Sequence, residues 1–150
     1  MTQTDSTKID DFNLQEFLPY LLNRAAEESS LEFQQIYKDR YGILRTEWRV
    51  LFHLGNYGEM TAKEIGERAR LHKTKISRAV HRLETRRYLV RNRSETDRRV
   101  ENLILTQMGQ SVYRELSGIA EQYDAKLMAQ FNADEVALLR KMLRRLAHMD

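Results

Sequence analysis

Cysteine is absent from this chain of 150 residues. That absence excludes disulfides, a thiolate zinc site and a thiol-oxidation switch. Proline occurs once, at Pro19, and glycine only six times, so little interrupts long regular elements. No run approaches the roughly 18 apolar residues that span a bilayer. The polar start, Met1 to about Asp11, lacks the apolar stretch of a secretory signal and reads as a frayed terminus. A cytoplasmic location without a membrane partner is therefore expected. The four histidines, His53, His72, His81 and His148, include no i, i+4 pair, and no metal site is expected. No Ser/His/acid set, carboxylate dyad or phosphate-cradling glycine loop stands out, so neither catalysis nor a cofactor is expected.

Charge is what the chain has, and it is unevenly placed. Between Arg68 and Arg99 stand twelve Lys/Arg and three acids, Glu84, Glu95 and Asp97. That segment carries a formal +9 within a chain totalling +3, which leaves −6 for the remainder. A localised positive field in an acidic frame marks a surface that meets a polyanion, because Lys/Arg contacts to phosphates release condensed counterions. Arg86 and Arg87 by themselves read as a solvated face.

The length fits one domain spanning 1–150, with no repeat or linker. Apolar residues from Phe12 through Leu14, Phe17, Leu21 and Ala25 to Ile36 and Tyr37 recur at helical spacing. Pro19 either kinks this helix or marks a second start, and Gly42 closes it. Thr46 is placed to cap a second helix that buries Trp48, Val50, Leu51 and Leu54, with Gly55 and Gly58 closing it. Thr61 and Glu64 form a capping box opening a third helix, with Ile65 and Ala69 inward. After a turn at Leu71 and His72, a fourth helix stripes Ile76, Val80 and Leu83 on one side. Lys73, Thr74, Lys75, Ser77, Arg78, His81 and Arg82 fall outside that stripe. The period then changes: Tyr88 to Arg91 and Val100 to Leu105 are strand-like around a polar tip, Asn92 to Arg99. Thr106 starts a long helix, and a capping box at Asn132 and Glu135 opens the last, with Leu138, Leu139, Met142, Leu143 and Leu146 apolar.

Two short helices joined by a tight turn, followed by a basic hairpin, make a winged helix-turn-helix. The expected fold class is mainly α with a small β-hairpin wing, the N- and C-terminal helices forming a dimerisation region. Those helices supply more apolar face than a small winged-helix core covers, which calls for a second copy of the chain. Their expected bounds are 12–40 and 106–148, with a DNA-binding lobe over 46–105. The major groove admits one α-helix, and the narrow minor groove suits one inserted arginine. Lys73, Thr74, Lys75, Ser77, Arg78 and Arg82 are the candidate groove-facing residues, and Arg91 and Arg93 the candidate phosphate clamps. Arg98 and Arg99 sit at the tip, where Asp97 can hold one of them.

These residues resemble the multiple-antibiotic-resistance-regulator (MarR) family of winged-helix transcription regulators over roughly Leu18 to Leu146. The wing carries the most specific part: Asp97, Arg98, Arg99, the strand to Leu105, then Thr106 and Gly109. Leu71 to Arg78 through Glu84 is similar to the family's recognition helix, and Thr46 to Leu51 to the start of its second helix. The resemblance implies a homodimeric regulator, most simply a repressor, on double-stranded DNA with a pseudo-palindromic operator. In it, Asp97 orients Arg99 and Arg99 enters the minor groove. It also implies a small anionic or phenolic effector, for which Tyr37, Trp48, Arg49, His53 and Tyr113 are the candidate contacts. A different reading of the basic segment is a helical interaction protein that binds RNA or an acidic protein. His72 replaces the family's usual Ser or Asp and caps less well, which leaves the start of the recognition helix open, and Arg87 replaces its usual Gly, so the turn after that helix is expected to differ in shape.

Overall fold

The structure, a computed structural model, describes residues 11–97 and 99–149. The expected frayed start thus lies almost wholly outside the described residues. Along the chain come a 3-10 turn (Leu14–Glu16), α1 (Leu18–Tyr41), α2 (Arg45–Tyr57), β1 (Met60–Thr61), α3 (Ala62–Ala69) and α4 (Lys73–Thr85). They are followed by β2 (Leu89–Arg93), β3 (Glu101–Leu105), α5 (Gln107–Met128) and α6 (Ala133–Leu146). The chain divides into two compact units, residues 1–32 and residues 33–150.

In the first unit the Asn13 side chain accepts the Gln15 N–H and so caps the 3-10 turn. Pro19 is the second residue of α1, so it opens the helix where its missing N–H costs nothing. The Phe12 and Phe17 rings meet edge to face at 5.2 Å. Leu14, Phe17, Leu18, Leu21 and Leu31 are all exposed.

The second unit holds one apolar core, drawn from Phe33 and Tyr37 through Leu51, Leu54, Ile65, Ile76, Leu83, Leu89, Leu103 and Leu116. Periodicity places these residues. Ile76, Ala79, Val80 and Leu83 fall at spacings of 3 and 4 and are all buried, while the residues between them face solvent. Gly42 ends α1 at φ +65, as expected. The Thr61–Glu64 and Asn132–Glu135 capping boxes form, and Thr106 caps α5 by accepting the Gly109 N–H. The expected hairpin pairs β2 with β3, Arg91 opposite Leu103.

Several local expectations are corrected. The cap of α2 is Leu44, not Thr46, because the Glu47 carboxylate three residues on accepts the Leu44 N–H at 3.2 Å. Gly55 lies inside α2 rather than closing it. A Cβ there would stand 2.3 Å from the Tyr113 ring, so the glycine lets α5 pack close. Trp48 and Ala69 are half-buried rather than buried. The wing is three-stranded, in the order β1-β3-β2, since Met60 and Thr61 pair with Leu103 and Asn102. Two residues are too few to show an alternating pattern. Arg86 is no solvated bystander: its guanidinium fork donates to the Tyr41 and Gly42 carbonyls at 3.0 and 2.9 Å, capping α1.

The end of α4 keeps a glycine-type shape without a glycine. Arg87 sits at φ +65, its N–H donates to the Glu84 carbonyl, and the Tyr88 N–H reaches back to Leu83. Those two bonds are the full Schellman pair. An L-residue there is strained by about 1–2 kcal/mol. Arg87→Gly is therefore expected to stabilise the fold by about 0.5–1 kcal/mol, read as a higher urea midpoint at unchanged slope. Gly109→Ala is expected to destabilise it by about 1–3 kcal/mol in the same assay. An added Cβ there would lie 2.0 Å from the Tyr88 carbonyl oxygen.

Candidate nucleic-acid interface

The basic segment folds into two exposed features, one face of α4 and the β2–β3 wing. Lys73, Thr74, Lys75, Ser77, Arg78 and Arg82 are all exposed. They share the helix face opposite the buried stripe, so helical period alone gathers them. The start of α4 has no side-chain cap: His72 is the cap residue but its ring bonds no helix N–H.

These cations differ in how tightly they are held. Arg82 Nη1 stands 3.1 Å from Glu47 Oε2, a carboxylate that is almost wholly buried. Arg91 is held by Glu84 at 3.1 Å and by Glu101 at 3.3 Å, and Arg93 by Glu101 at 3.0 Å. Burial works against the Arg91 charge, but the bonds to Glu84 and Glu101 outweigh it and keep the group above its usual value. The Arg93 and Arg91 guanidiniums hold the Glu101 carboxyl below the usual range. The two candidate phosphate clamps are thus engaged within the protein. Their acidic partners lie 7 to 10 residues away in sequence, so no local pattern reveals them.

The tip is a hydrogen-bonded turn. Ser94 N–H donates to the Val100 carbonyl at 3.0 Å, and Val100 N–H to the Asp97 carbonyl at 3.0 Å. Asp97 Oδ1 accepts both the Arg99 backbone N–H, at 3.0 Å, and its Nε, at 3.3 Å. The Arg99 side chain is 92% exposed, so one carboxylate aims a guanidinium that otherwise stands in solvent. Arg98 lies outside the described residues.

The candidate effector contacts fall in the second unit. The Tyr37 and Trp48 rings stack at 5.8 Å, and Phe52 joins Trp48 to Tyr113 through contacts of 5.1 Å. Phe33 and Tyr123 complete this aromatic cluster, which the sequence reading missed in part. Burial pushes the Tyr37 phenol up, and Arg45 and Arg49 beside it hold part of that rise back. Trp48 Nε1 is buried with no hydrogen-bond acceptor among the described residues. His53 turns back to the Arg49 carbonyl at 2.6 Å. A separate groove of about 560 Å³ between α3 and α4 is lined by none of the five, but by Leu71, Ile76 and Val80 with Lys73 and Arg91 at its edge. Among the described residues no group of three or more His, Asp or Glu is placed to hold a metal ion, and no helix is long and apolar enough to cross a membrane.

Comparison with known proteins agrees with this geometry. The family model described as MarR family matches residues 41–100, the stretch from the end of α1 to the tip of the wing, just before β3. The transcriptional regulator SarZ of Staphylococcus aureus (strain MRSA252) is 27% identical over 127 residues, 85% of this chain and 82% of SarZ. The solved structure of a MarR/EmrR family transcriptional regulator from Acinetobacter sp. ADP1 is 28% identical, with TM-score 0.82 over 91% of this chain and 96% of that one. Bordetella bronchiseptica BpsR, whose DNA binding is regulated by 6-hydroxynicotinic acid, shares the fold at TM-score 0.83 and 23% identity, over 94% of this chain and 100% of its own. With the winged-helix architecture and the Asp97–Arg99 tip, these likenesses support a MarR family transcriptional regulator.

Proposed function

We propose that this protein is a cytoplasmic, sequence-specific regulator that binds double-stranded DNA as a homodimer and acts as a repressor. The observation that carries the reading is the pairing of an exposed cationic α4 face with an outstretched, Asp97-aimed Arg99 on the adjoining wing. A helix of this width enters the major groove, and an arginine beside it suits the narrow, strongly negative minor groove. The assigned roles are Lys73, Thr74, Lys75, Ser77, Arg78 and Arg82 in the major groove, and Arg98 and Arg99 at the minor groove. Arg91 and Arg93 reach phosphates by exchanging their carboxylate partners for phosphate oxygens.

Dimerisation rests on α6, which buries no residue although Leu138, Met142, Leu143 and Leu146 are apolar. A helix whose apolar stripe faces solvent needs a partner surface, and a second copy with two-fold symmetry supplies it. Residues 12–40 and 106–148 form that region, and 46–105 the DNA-binding lobe. Such a dimer reads a pseudo-palindrome with half-sites about 10 bp apart. The aromatic cluster with its unpaired Trp48 N–H and nearby Arg49 supports a small anionic or phenolic effector at Tyr37, Trp48, Arg49, His53 and Tyr113. BpsR, with its pyridine carboxylic acid, provides the parallel. To act, such a ligand must bind one dimer conformation better than the other.

In vitro selection of duplexes with the purified protein is the direct test. Enrichment of a two-fold symmetric site supports the reading. Equal binding to selected and random duplexes, or to RNA, would instead favour a basic interaction protein. Arg99→Ala is expected to weaken binding to the selected site at least tenfold at fixed salt, with dimerisation unchanged by sedimentation. Arg78→Ala is expected to relax base preference at one position by about 1–3 kcal/mol in competition titrations.

A further inference from the structure

Glu47 is the one charged residue buried among the described residues, at 1% exposure. It serves α2 as a cap by accepting the Leu44 N–H, but that task needs no charge, since a glutamine at the same position accepts equally well. A buried carboxylate is costly unless a cation meets it. The cation here comes from 35 residues away, on the exposed face of α4: Arg82 Nη1 lies 3.1 Å from Glu47 Oε2. Arg82 itself is 53% exposed along its side chain. Arg78 and Lys75 stand one and two turns back on the same face. With Arg82, Leu44, Thr46 and Glu47 they line a recess of about 160 Å³ whose acid is Glu47.

An unpaired arginine on a DNA-facing helix grips whichever phosphate it reaches, which raises affinity for every sequence alike. One held by a buried carboxylate keeps a fixed orientation, offers only its remaining N–H edge, and has its charge offset. From this we infer that Glu47 is a positioning residue for sequence selectivity, withholding Arg82 from indiscriminate phosphate contact and presenting it in one geometry. The inference rests on the DNA-binding reading given above.

The test uses full-length Glu47→Gln against the parent, with a duplex selected by the parent and a random duplex of equal length, titrated across a salt series. The amide keeps the cap and removes the buried charge. Binding to the random duplex is expected to tighten about threefold to tenfold near 0.1 M salt, and its log–log salt slope to steepen by about 0.9. The ratio of selected to random affinity should fall by a similar factor. Adding Arg82→Gln to Glu47→Gln should restore the parental slope. A folded variant, judged by its thermal melt, with parental slope and ratio would overturn the inference. Should Glu47→Gln fail to fold, Arg82→Lys decides. It keeps the charge but loses the planar fork, so the ratio should drop at least threefold at constant slope, and an unchanged ratio would overturn the inference. A parent that does not prefer its own selected duplex would defeat the DNA-binding reading itself, which separates the two failures.

Discussion

The structure depends on the division of α4 into a buried stripe and a charged face. Ile76, Ala79, Val80 and Leu83 leave water completely or nearly so. Their burial contributes roughly 5–9 kcal/mol before conformational entropy is subtracted. That packing anchors the helix against α2 and α3, and it forces Lys73, Lys75, Arg78 and Arg82 outward. No separate device is needed to expose the cations, because a 3.6-residue period that hides one side must display the other. The candidate interface is a by-product of the core.

Four cations of the basic surface, Arg82, Arg91, Arg93 and Arg99, are held by acids, and those acids do different things. Asp97 aims Arg99 without enclosing it. Glu84 and Glu101 knit Arg91 and Arg93 into the junction of α4 with the wing. Glu47 reaches from beneath α4 to Arg82. Those pairs that are exposed on both sides add little stability, with a median near 0–1 kcal/mol each; the Glu47 carboxylate, being buried, stands apart. Their value is orientation: they set which guanidinium edges point outward. A similar economy joins α1 to α5, where Glu115 accepts both the Tyr41 hydroxyl at 2.6 Å and Arg40 at 2.9 Å. Burial, and then that bond, push the Tyr41 phenol up to about 12, so it remains a donor at any physiological pH.

Much of the architecture was legible in the chain because its signals are local. Capping boxes close within three residues, so Thr61 with Glu64 and Asn132 with Glu135 announce themselves. The same locality misled at Thr46, a good capping residue type passed over because Glu47 draws the cap to Leu44. Arg87 shows propensity overridden. Burial of Leu83 and Leu89 on either side demands the left-handed turn, and the arginine accepts the strain.

By itself the sequence determined the helix and hairpin order, the buried stripe of α4, the cation cluster outside it and the Asp97–Arg99 tip. All of these follow from spacings of two to four residues and from composition. Tertiary structure alone decided that Met60 and Thr61 become a third strand, that Gly55 admits Tyr113, and that Arg86 caps α1. It alone also set which cations are tied, since Glu47 and Arg82 stand 35 positions apart. A side chain's periodic face is written into its own helix, whereas its partner depends on where distant segments come to rest once the core has packed.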